Sequence, residues 1–140
     1  VTTYETICMT CGNASERSEG FMDLNLPIVK RPTAEKGTIK AAFGKGDTDV
    51  QYCLDQYTCA ELLDGDNQYL CSNCDCKRDA KRVLKLTELP PVLNVQLSRY
   101  VFDRAKFVKK KLTDKVLLPT SLHEEQSGGS KKKYLLCAVM

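Results

Sequence analysis

Two pairs of cysteines, each with two residues between its members, are the feature of this sequence best suited to chemistry. They are Cys8 with Cys11, and Cys71 with Cys74. Two intervening residues let a tight turn aim both thiolates at one point, and two such turns supply the four sulfurs of a tetrahedral zinc site. We therefore expect one structural zinc ion, with no coordination position left open for water.

The spacing between the two pairs leaves alternatives open. The 59 residues from position 12 to position 70 exceed the usual zinc-ribbon spacing, although each doubling of a loop adds only about 0.6 kcal/mol of closure cost. Disulfides, or reduced thiols without a metal, are the competing interpretations. Cys76 could also replace Cys74 as the fourth ligand, and we prefer Cys74 because its spacing matches that of the first pair.

The remaining cysteines and the one histidine do not suggest a nucleophile and its base. His123 precedes two glutamates in a polar context that predicts an exposed loop. A nucleophilic cysteine needs a nearby base, so we assign no catalytic residue. Cys53 lies on the apolar side of a predicted helix, and we interpret it, with Cys59 and Cys137, as a core or surface thiol.

Composition limits the size of the domain and its partners. The chain has 140 residues, of which 42% are hydrophobic and 28% charged, with a formal net charge of +3, which allows at most one ordinary domain. That charge is too small to indicate nucleic acid by itself. The lysine runs at 109–111 and 131–133 lack interleaved aromatic residues that could stack bases. We predict no nucleic-acid partner and interpret both runs as solvated loops.

The sequence contains no evident membrane or targeting segment. No apolar run approaches the roughly 20 residues that cross a bilayer, so we predict no membrane partner, and the first residues lack the pattern of a signal peptide. The chain begins with Val1 rather than Met and ends on an apolar run from Tyr134. Both features lead us to expect a segment of a longer protein.

Hydrophobic periodicity predicts mainly antiparallel β-structure with one or two short helices, an α+β class. Alternation favours strands at residues 22–28 and 93–98, and helical spacing favours a short amphipathic helix at 50–57. Residues 29–49 contain a proline and three glycines and predict a loop or insertion, as does the composition of residues 126–133. Further strands are expected at residues 1–8, 82–86, 116–118 and 134–139, the last one buried, with a hairpin-like connection at 103–111.

Several longer motifs accompany the cysteine pairs in a fixed order. They are Phe21-Met22-Asp23-Leu24-Asn25-Leu26-Pro27, Leu63-Asp64-Gly65-Asp66-Asn67-Gln68-Tyr69, Leu89-Pro90-Pro91-Val92-Leu93, Gln96-Leu97-Ser98-Arg99-Tyr100 and Tyr134-Leu135-Leu136-Cys137-Ala138-Val139. Together they resemble the ubiquitin-specific protease (USP) family of deubiquitinating cysteine proteases. The resemblance covers nearly the whole chain, and its specificity comes from the order and spacing of the motifs.

The resemblance implies part of a papain-like cysteine protease fold that is likened to a hand. Residues 1–81 would form zinc-ribbon-like fingers with zinc at their tip, and residues 82–140 part of the palm. Ser98 and Tyr100 match positions that line the cleft for the ubiquitin tail, and residues 103–111 match a loop above it. The family's catalytic Cys and His boxes match no residue here, so we expect the chain itself to be inactive.

The resemblance also implies a function for the parent protein. It would be a thiol isopeptidase that hydrolyses ubiquitin from protein conjugates, with ubiquitin and ubiquitinated proteins as its partners. The alternative is a binding module, either a zinc ribbon or a catalytically dead relative that only recognises ubiquitin or another protein. Reduced thiols and the family together predict an intracellular protein of the cytoplasm or nucleus.

Overall fold

The computed structural model describes residues 1–31, 48–125 and 131–140. These residues form fourteen strands, one α-helix and one turn of 3-10 helix. The helix α1 is Val50–Tyr57, and the 3-10 turn is Gly65–Asn67. In chain order the strands are β1 (Thr2–Cys8), β2 (Ala14–Glu19), β3 (Asp23–Pro27), β4 (Thr48–Asp49), β5 (Glu61–Leu63), β6 (Tyr69–Cys71), β7 (Cys76–Arg78), β8 (Ala80–Leu86), β9 (Asn94–Ser98), β10 (Tyr100–Asp103), β11 (Val108–Lys111), β12 (Val116–Leu117), β13 (Ser121–Glu125) and β14 (Lys131–Leu135).

This content confirms the expected class of mainly antiparallel β-structure with a short helix. One four-stranded sheet and five two-stranded sheets are present among the described residues. The eight-residue helix α1 occupies the position that its periodicity predicted. In the part of the chain that the structure describes, no helix is long and apolar enough to cross a membrane.

The chain forms two compact units that are interleaved in sequence. Unit 1 comprises Val1–Met22, Thr58–Val92 and Glu124–Lys132, and unit 2 comprises Asp23–Tyr57, Leu93–His123 and Lys133–Met140. Each unit is therefore completed by segments far apart in sequence. The division expected from the sequence has one boundary along the chain, with fingers at residues 1–81 and palm at 82–140. It stays a prediction.

Unit 1 is built on an antiparallel sheet with the strand order β2-β1-β8-β5. Thr2 lies opposite Leu86, and Cys8 lies opposite Ala80, which defines the register of the two central strands. Because side chains alternate between the two faces of a sheet, the even-numbered residues of β8 share one face, where Ala80, Leu84 and Leu86 are buried. This face forms the core of unit 1 and includes the Cys8 side chain.

The other face of the same sheet is polar and is connected by cross-strand contacts. The Lys85 ammonium lies 2.5 Å from the Glu5 carboxylate, and this hydrogen bond raises the pKa of Lys85. The Thr3 hydroxyl lies 2.9 Å from that of Ser18 and 3.2 Å from that of Thr87. These contacts join β1, β2 and the end of β8 in one register, since a slip of one residue would exchange the two faces.

Unit 2 contains two parallel strand pairs, β3 with β9 and β4 with β12. Parallel pairing needs a long connection between the strands, and local alternation cannot distinguish it from antiparallel pairing. Leu24 and Leu26 of β3 are buried, as are Val50, Cys53 and Leu54 of α1. The predicted strand and helix thus supply the core of this unit, and Cys53 is a core thiol.

Asp49 caps the N-terminus of α1. Its Oδ1 accepts the backbone N–H of Tyr52 at 2.7 Å, which satisfies one of the free donors in the first helical turn. Its Oδ2 accepts a hydrogen bond from Arg31 at 2.6 Å, and the Arg31 guanidinium lies 4.8 Å from the centroid of the Tyr52 ring. One buried carboxylate therefore holds both the start of the helix and the segment that follows β3.

Several predicted boundaries are wrong. Residues 131–133 and His123 were expected in loops, but they lie in β14 and β13, where the His123 side chain is exposed. The buried strand expected at 134–139 ends at Leu135, and Leu136 and Val139 are exposed. Composition reports the polarity of side chains, whereas a strand forms wherever a neighbouring backbone satisfies its hydrogen bonds.

Two further expectations are modified by the strand boundaries. The alternation that predicted a strand at 22–28 begins with Met22, but β3 starts one residue later and Met22 is 90% exposed. Of the loop predicted at 29–49, residues 32–47 lie outside the described part of the chain, and Thr48–Asp49 form β4. Residues 126–130 also lie outside it.

Replacement of Asp49 by alanine should lower the free energy of unfolding by about 1–2 kcal/mol, because it removes the cap of α1. Asp49→Asn is the matched control, since its uncharged side-chain oxygen can still accept the Tyr52 N–H. Its free energy of unfolding should fall by less than that of the alanine variant. Urea denaturation followed by circular dichroism measures both. An alanine variant as stable as the parent, or equal losses in the two variants, would contradict this role for the cap.

Candidate metal centre

The first cysteine pair lies in a tight turn at the end of β1. The N–H of Cys8 donates to the carbonyl of Asn13, and the carbonyl of Cys8 accepts the N–H of Gly12, both at 2.9 Å. Gly12 has a φ of +72°, a left-handed conformation that glycine adopts at little cost. The turn therefore reverses the chain and directs Cys11 back towards Cys8.

The second pair lies in the hairpin formed by β6 and β7. Cys71 ends β6 and pairs with Cys76, which begins β7. The turn between them contains Cys74 and ends at Asp75, whose φ of +52° is one that aspartate tolerates better than most residues. Each pair thus contributes one buried sulfur from a strand end, at Cys8 and Cys71, and one more accessible sulfur from a turn.

Asp79 bonds to the first turn and to the residue that precedes β6. Its carbonyl accepts the N–H of Met9, in the first turn, at 2.9 Å. Its carboxylate accepts the side-chain amide of Gln68, immediately before β6, at 2.7 Å. Cys8 also lies opposite Ala80 in the main sheet, so Asp79 and Ala80 contact the first cysteine pair and the residue that precedes the strand of Cys71.

The four sulfurs converge on one point. The Sγ atoms of Cys8, Cys11, Cys71 and Cys74 all lie within 4.8 Å of one another, and those of Cys11 and Cys71 are 3.6 Å apart. Sulfurs bound tetrahedrally at about 2.3 Å from a zinc ion would be roughly 3.8 Å apart. A disulfide requires about 2.05 Å, and all eight cysteines are free thiols. The cluster therefore fits a metal ion rather than a disulfide.

The thiols share protons unequally, as expected for four acidic groups in close contact. A hydrogen bond from the Asn73 side chain, with the backbone N–H of Asn13, lowers the pKa of Cys11 to about 6. The backbone N–H of Cys11 likewise lowers the pKa of Cys8. The hydrogen bond with the Cys11 sulfur instead raises the pKa of Cys74 to about 12, because Cys74 keeps its own proton and donates it to the Cys11 thiolate. A divalent cation would replace these shared protons and favour four thiolates.

The structure places the other predicted residues outside this cluster. Cys76 is adjacent in sequence to the turn, but its sulfur is not among the four that converge. Cys59 and Cys137 are exposed. Ser98, half-buried at the end of β9, and Tyr100, exposed at the start of β10, both belong to unit 2. The assignment of these two residues to a substrate cleft stays a prediction.

The contacts that the structure describes for His123 involve no thiol. Its Nε2 lies 3.4 Å from the hydroxyl of Ser121, and its backbone is bound by the side-chain amide of Gln51, which accepts its N–H at 2.8 Å and donates to its carbonyl at 2.9 Å. These contacts are typical of an exposed strand position and give the imidazole no cysteine to activate.

Sequence reasoning missed the residues that support the cluster. Asn73 lies between the cysteines of the second pair, and Asn13 follows the first pair, so both could have been found as donors adjacent to thiolates. Arg78 adds a positive charge close to Cys76 and Cys74, whose negative charges raise the pKa of the guanidinium. Asp79 carries no local signal, because its partners, Met9 and Gln68, are distant from it in sequence.

The known proteins that this chain is similar to belong to one family. The model of the ubiquitin carboxyl-terminal hydrolase family matches residues 4–140. Ubiquitin carboxyl-terminal hydrolase 26 of Oryza sativa subsp. japonica is 38% identical over 122 residues, which cover 85% of this chain and 10% of that protein. Ubiquitin carboxyl-terminal hydrolase 48 of Rattus norvegicus is 36% identical over 141 aligned positions, covering 98% of this chain and 12% of that protein. The chain thus spans about a tenth of the length of these relatives.

A solved structure shares the fold. A chain in the structure of the SAGA Ubp8/Sgf11/Sus1/Sgf73 DUB module bound to ubiquitin aldehyde aligns with a TM-score of 0.63 and 27% sequence identity. The alignment covers 89% of this chain and 24% of that one. The similarity therefore extends over both compact units and confirms the predicted fold class.

The geometry predicts which cysteines bind a metal ion. Cys74→Ser should reduce the bound metal to well below one ion per chain and weaken the thiolate-to-metal absorption of the cobalt(II)-substituted chain, because a neutral hydroxyl replaces a converging thiolate. Cys76→Ser is the matched control and should retain both the bound metal and the thiolate-to-metal absorption. Elemental analysis and visible absorption measure these properties. Loss of metal in the Cys76 variant with retention in the Cys74 variant would show that the fourth ligand is wrongly assigned.

Proposed function

The chain belongs to the ubiquitin carboxyl-terminal hydrolase family, and from this premise we propose that it is the ubiquitin-gripping segment of a thiol-dependent deubiquitinating enzyme. The observation that carries the proposal is the convergence of four cysteine sulfurs at the end of the four-stranded sheet. In this proposal the sheet of unit 1 acts as zinc-stabilised fingers, and unit 2 supplies part of the substrate cleft.

Zinc is the proposed occupant of the cysteine cluster. Four sulfurs with no water or carboxylate among them match the donor set of closed structural zinc sites. Four thiolates and one Zn²⁺ would carry a net charge of −2, which the nearby Arg78 guanidinium would offset in part. An ion with all its positions filled by sulfur cannot activate water, so its proposed role is to hold the two turns and thereby the end of the sheet.

Ubiquitin is the proposed partner. The similar DUB module is a complex with ubiquitin aldehyde, and the alignment with a chain of that module covers 89% of the present chain and 24% of the other. For the parent protein we propose ubiquitinated proteins as substrates and an intracellular location, in the cytoplasm or nucleus, where eight free thiols remain reduced.

Ser98 and Tyr100 are the proposed cleft residues of this chain. They lie on either side of Arg99, whose guanidinium donates to the carbonyls of Leu112 at 3.4 Å and Asp114 at 3.1 Å. The carbonyl of Arg99 in turn accepts the Leu112 N–H at 2.6 Å. These bonds hold the backbone where β9 passes into β10. They therefore fix the backbone position of the two proposed cleft residues.

Hydrolysis is proposed for the parent protein and not for the residues described here. In this class of enzyme a cysteine thiolate attacks the carbonyl carbon, and a histidine acts as its base. His123 is the only histidine of the sequence, and its described partners are Ser121 and Gln51. We therefore assign it no catalytic role, and the chain contributes substrate binding and scaffold.

The chain alone should bind ubiquitin weakly, with a dissociation constant on the order of 100 μM or weaker. A partial interface bears the same loss of translational and rotational freedom as a complete one, with fewer contacts to offset it. A titration of isotope-labelled ubiquitin followed by NMR should give saturable shifts confined to one ubiquitin face. These shifts should disappear in the Cys8→Ser, Cys11→Ser double variant and persist in the control Cys59→Ser.

Two results of that titration would decide whether this segment binds ubiquitin. Shifts that depend on Cys8 and Cys11 but not on Cys59 would support zinc-stabilised fingers as the binding element. No shifts at millimolar chain, with the chain shown to be folded, metal-loaded and monomeric, would refute ubiquitin binding by this segment.

The 140-residue chain should not cleave a ubiquitin–fluorophore substrate, because it offers no cysteine and histidine arranged as nucleophile and base. Release of the fluorophore by the purified chain measures this activity. The control is a Cys53→Ala, Cys59→Ala, Cys137→Ala variant, which removes three of the four thiols that are not in the cluster and leaves Cys76. Turnover that persists through purification and vanishes in this variant would contradict the assignment.

A further inference from the structure

The hairpin of β6 and β7 carries a fifth cysteine beside the candidate metal centre. Cys71 ends β6, Cys76 begins β7, and the two residues lie directly opposite each other in the register of the hairpin. The turn between them is formed by residues 72–75, and the hairpin lies entirely within unit 1. One of the four converging cysteines therefore has a second thiol as its cross-strand neighbour.

The separation of these two residues suits a disulfide. Opposite residues of an antiparallel pair have Cα atoms about 4.5 or 5.5 Å apart, depending on whether they exchange hydrogen bonds, and their side chains point to the same face. Disulfides occur at Cα separations of about 4.4–6.8 Å. Both kinds of strand pair fall within this range, so Cys71 and Cys76 can be joined without a large movement of the hairpin backbone.

Accessibility gives the two thiols different roles. The Cys71 side chain is fully buried and contributes its sulfur to the cluster, whereas Cys76 is half-buried and its sulfur is outside the group of four. Arg78 lies two residues further along β7 and so shares a face of the hairpin with Cys76. A small oxidant therefore reaches the Cys76 sulfur before that of Cys71, beside a basic side chain of the kind found near reactive cysteines.

Cys11 and Cys74 are the competing thiols. Cys11 is exposed, but in a metal-loaded cluster its sulfur shares an electron pair with the cation, whereas the Cys76 sulfur keeps its own. Cys74 lies in the turn, separated from Cys76 by Asp75, and the cross-strand partner of Cys76 is Cys71. The register of the hairpin thus favours Cys71 as the thiol that reacts with an oxidised Cys76.

We propose that Cys71 and Cys76 form a reversible disulfide when the chain meets a small peroxide, and that this disulfide removes Cys71 from the metal centre. The loss of Cys71 as a ligand rests on the zinc site of the proposed function. The disulfide itself rests only on the register of the hairpin and on the accessibility of Cys76.

The reaction has two steps. The Cys76 sulfur attacks one oxygen of hydrogen peroxide and the O–O bond breaks, which gives a sulfenic acid and one molecule of water. The Cys71 sulfur then attacks the Cys76 sulfur, and the S–O bond breaks. The departing hydroxide becomes a second water by taking the Cys71 thiol proton, or a proton from solvent where Cys71 is a metal-bound thiolate. Each sulfur loses one electron overall, and the peroxide gains two.

The disulfide changes what remains at the metal centre. Three sulfurs are left, those of Cys8, Cys11 and Cys74, and a zinc ion that has lost one of four thiolates is held less tightly. The disulfide closes only a short loop, so the restriction of chain entropy stabilises it little, and a dithiol can reduce it again. The pair therefore makes the metal content of unit 1 sensitive to peroxide.

Mapping of the disulfide tests the first part of the proposal. The zinc-loaded 140-residue chain is treated with a small molar excess of hydrogen peroxide, its free thiols are blocked with iodoacetamide, and it is cleaved before its aspartates. Cleavage before Asp75 separates Cys71 and Cys74 from Cys76. A disulfide then links two peptides, and fragment-ion sequencing by mass spectrometry identifies the partner of Cys76, which we expect to be Cys71.

The release of zinc, followed with a chromogenic chelator, tests the second part. Cys76→Ser should slow peroxide-driven release about fivefold or more, because Cys71 then has no cross-strand thiol with which to form a disulfide. Cys59→Ser is the matched control, since it removes another accessible thiol outside the cluster, and it should release zinc as fast as the parent chain. Dithiothreitol with added zinc should restore the metal content, which oxidation to sulfinic acid would prevent.

Several results would overturn the proposal. They are the absence of a disulfide in a treated chain that NMR shows to be folded, a disulfide between Cys76 and any cysteine other than Cys71, and equal rates of zinc release in the Cys76→Ser variant and the parent. A Cys71–Cys76 disulfide that leaves the zinc content unchanged would refute the second part. A chain without zinc before oxidation would refute the proposed zinc site, and the mapping would still decide whether the disulfide forms.

Discussion

The convergence of four sulfurs within 4.8 Å is the constraint on which unit 1 depends. Thiolates at this separation repel one another, so the cluster needs either shared protons or a cation. The low pKa of Cys11 and the high pKa of Cys74 represent the first solution. A bound divalent cation represents the second, and it would link the folding of two turns separated by 59 residues to metal binding.

The contacts around the cysteine cluster hold the four sulfurs together. The two turns belong to separate sheets, the four-stranded sheet and the β6–β7 hairpin. Asp79 bonds to Met9 in the first turn and to Gln68, which precedes β6. The polar pair of Lys85 and Glu5 keeps β1 and β8 in the register that delivers Cys8 to the cluster. Unit 2 uses a different device, a buried carboxylate at Asp49 that caps α1 and binds Arg31.

Neither the cysteine cluster nor the histidine of this segment is arranged for catalysis. A four-sulfur site has no open position for substrate or water, and the one histidine is bound through its backbone by Gln51. Unit 1 has a polar face on its main sheet, and the β10–β11 hairpin of unit 2 carries exposed rings and lysines. The chain belongs to the ubiquitin carboxyl-terminal hydrolase family, and it covers only 10% and 12% of two relatives in that family.

The sequence by itself determined the two cysteine pairs, the mainly antiparallel class, α1 and the strands β3, β8 and β9, because each depends on spacing or on local periodicity. The tertiary structure alone decided the parallel pairing of β3 with β9, the exclusion of Cys76 from the cluster, the role of Asp79 and the strand position of His123. It also placed Tyr100 and Phe102 opposite two lysines. These features depend on which distant backbone segment lies alongside, and no local pattern of residue types encodes that choice.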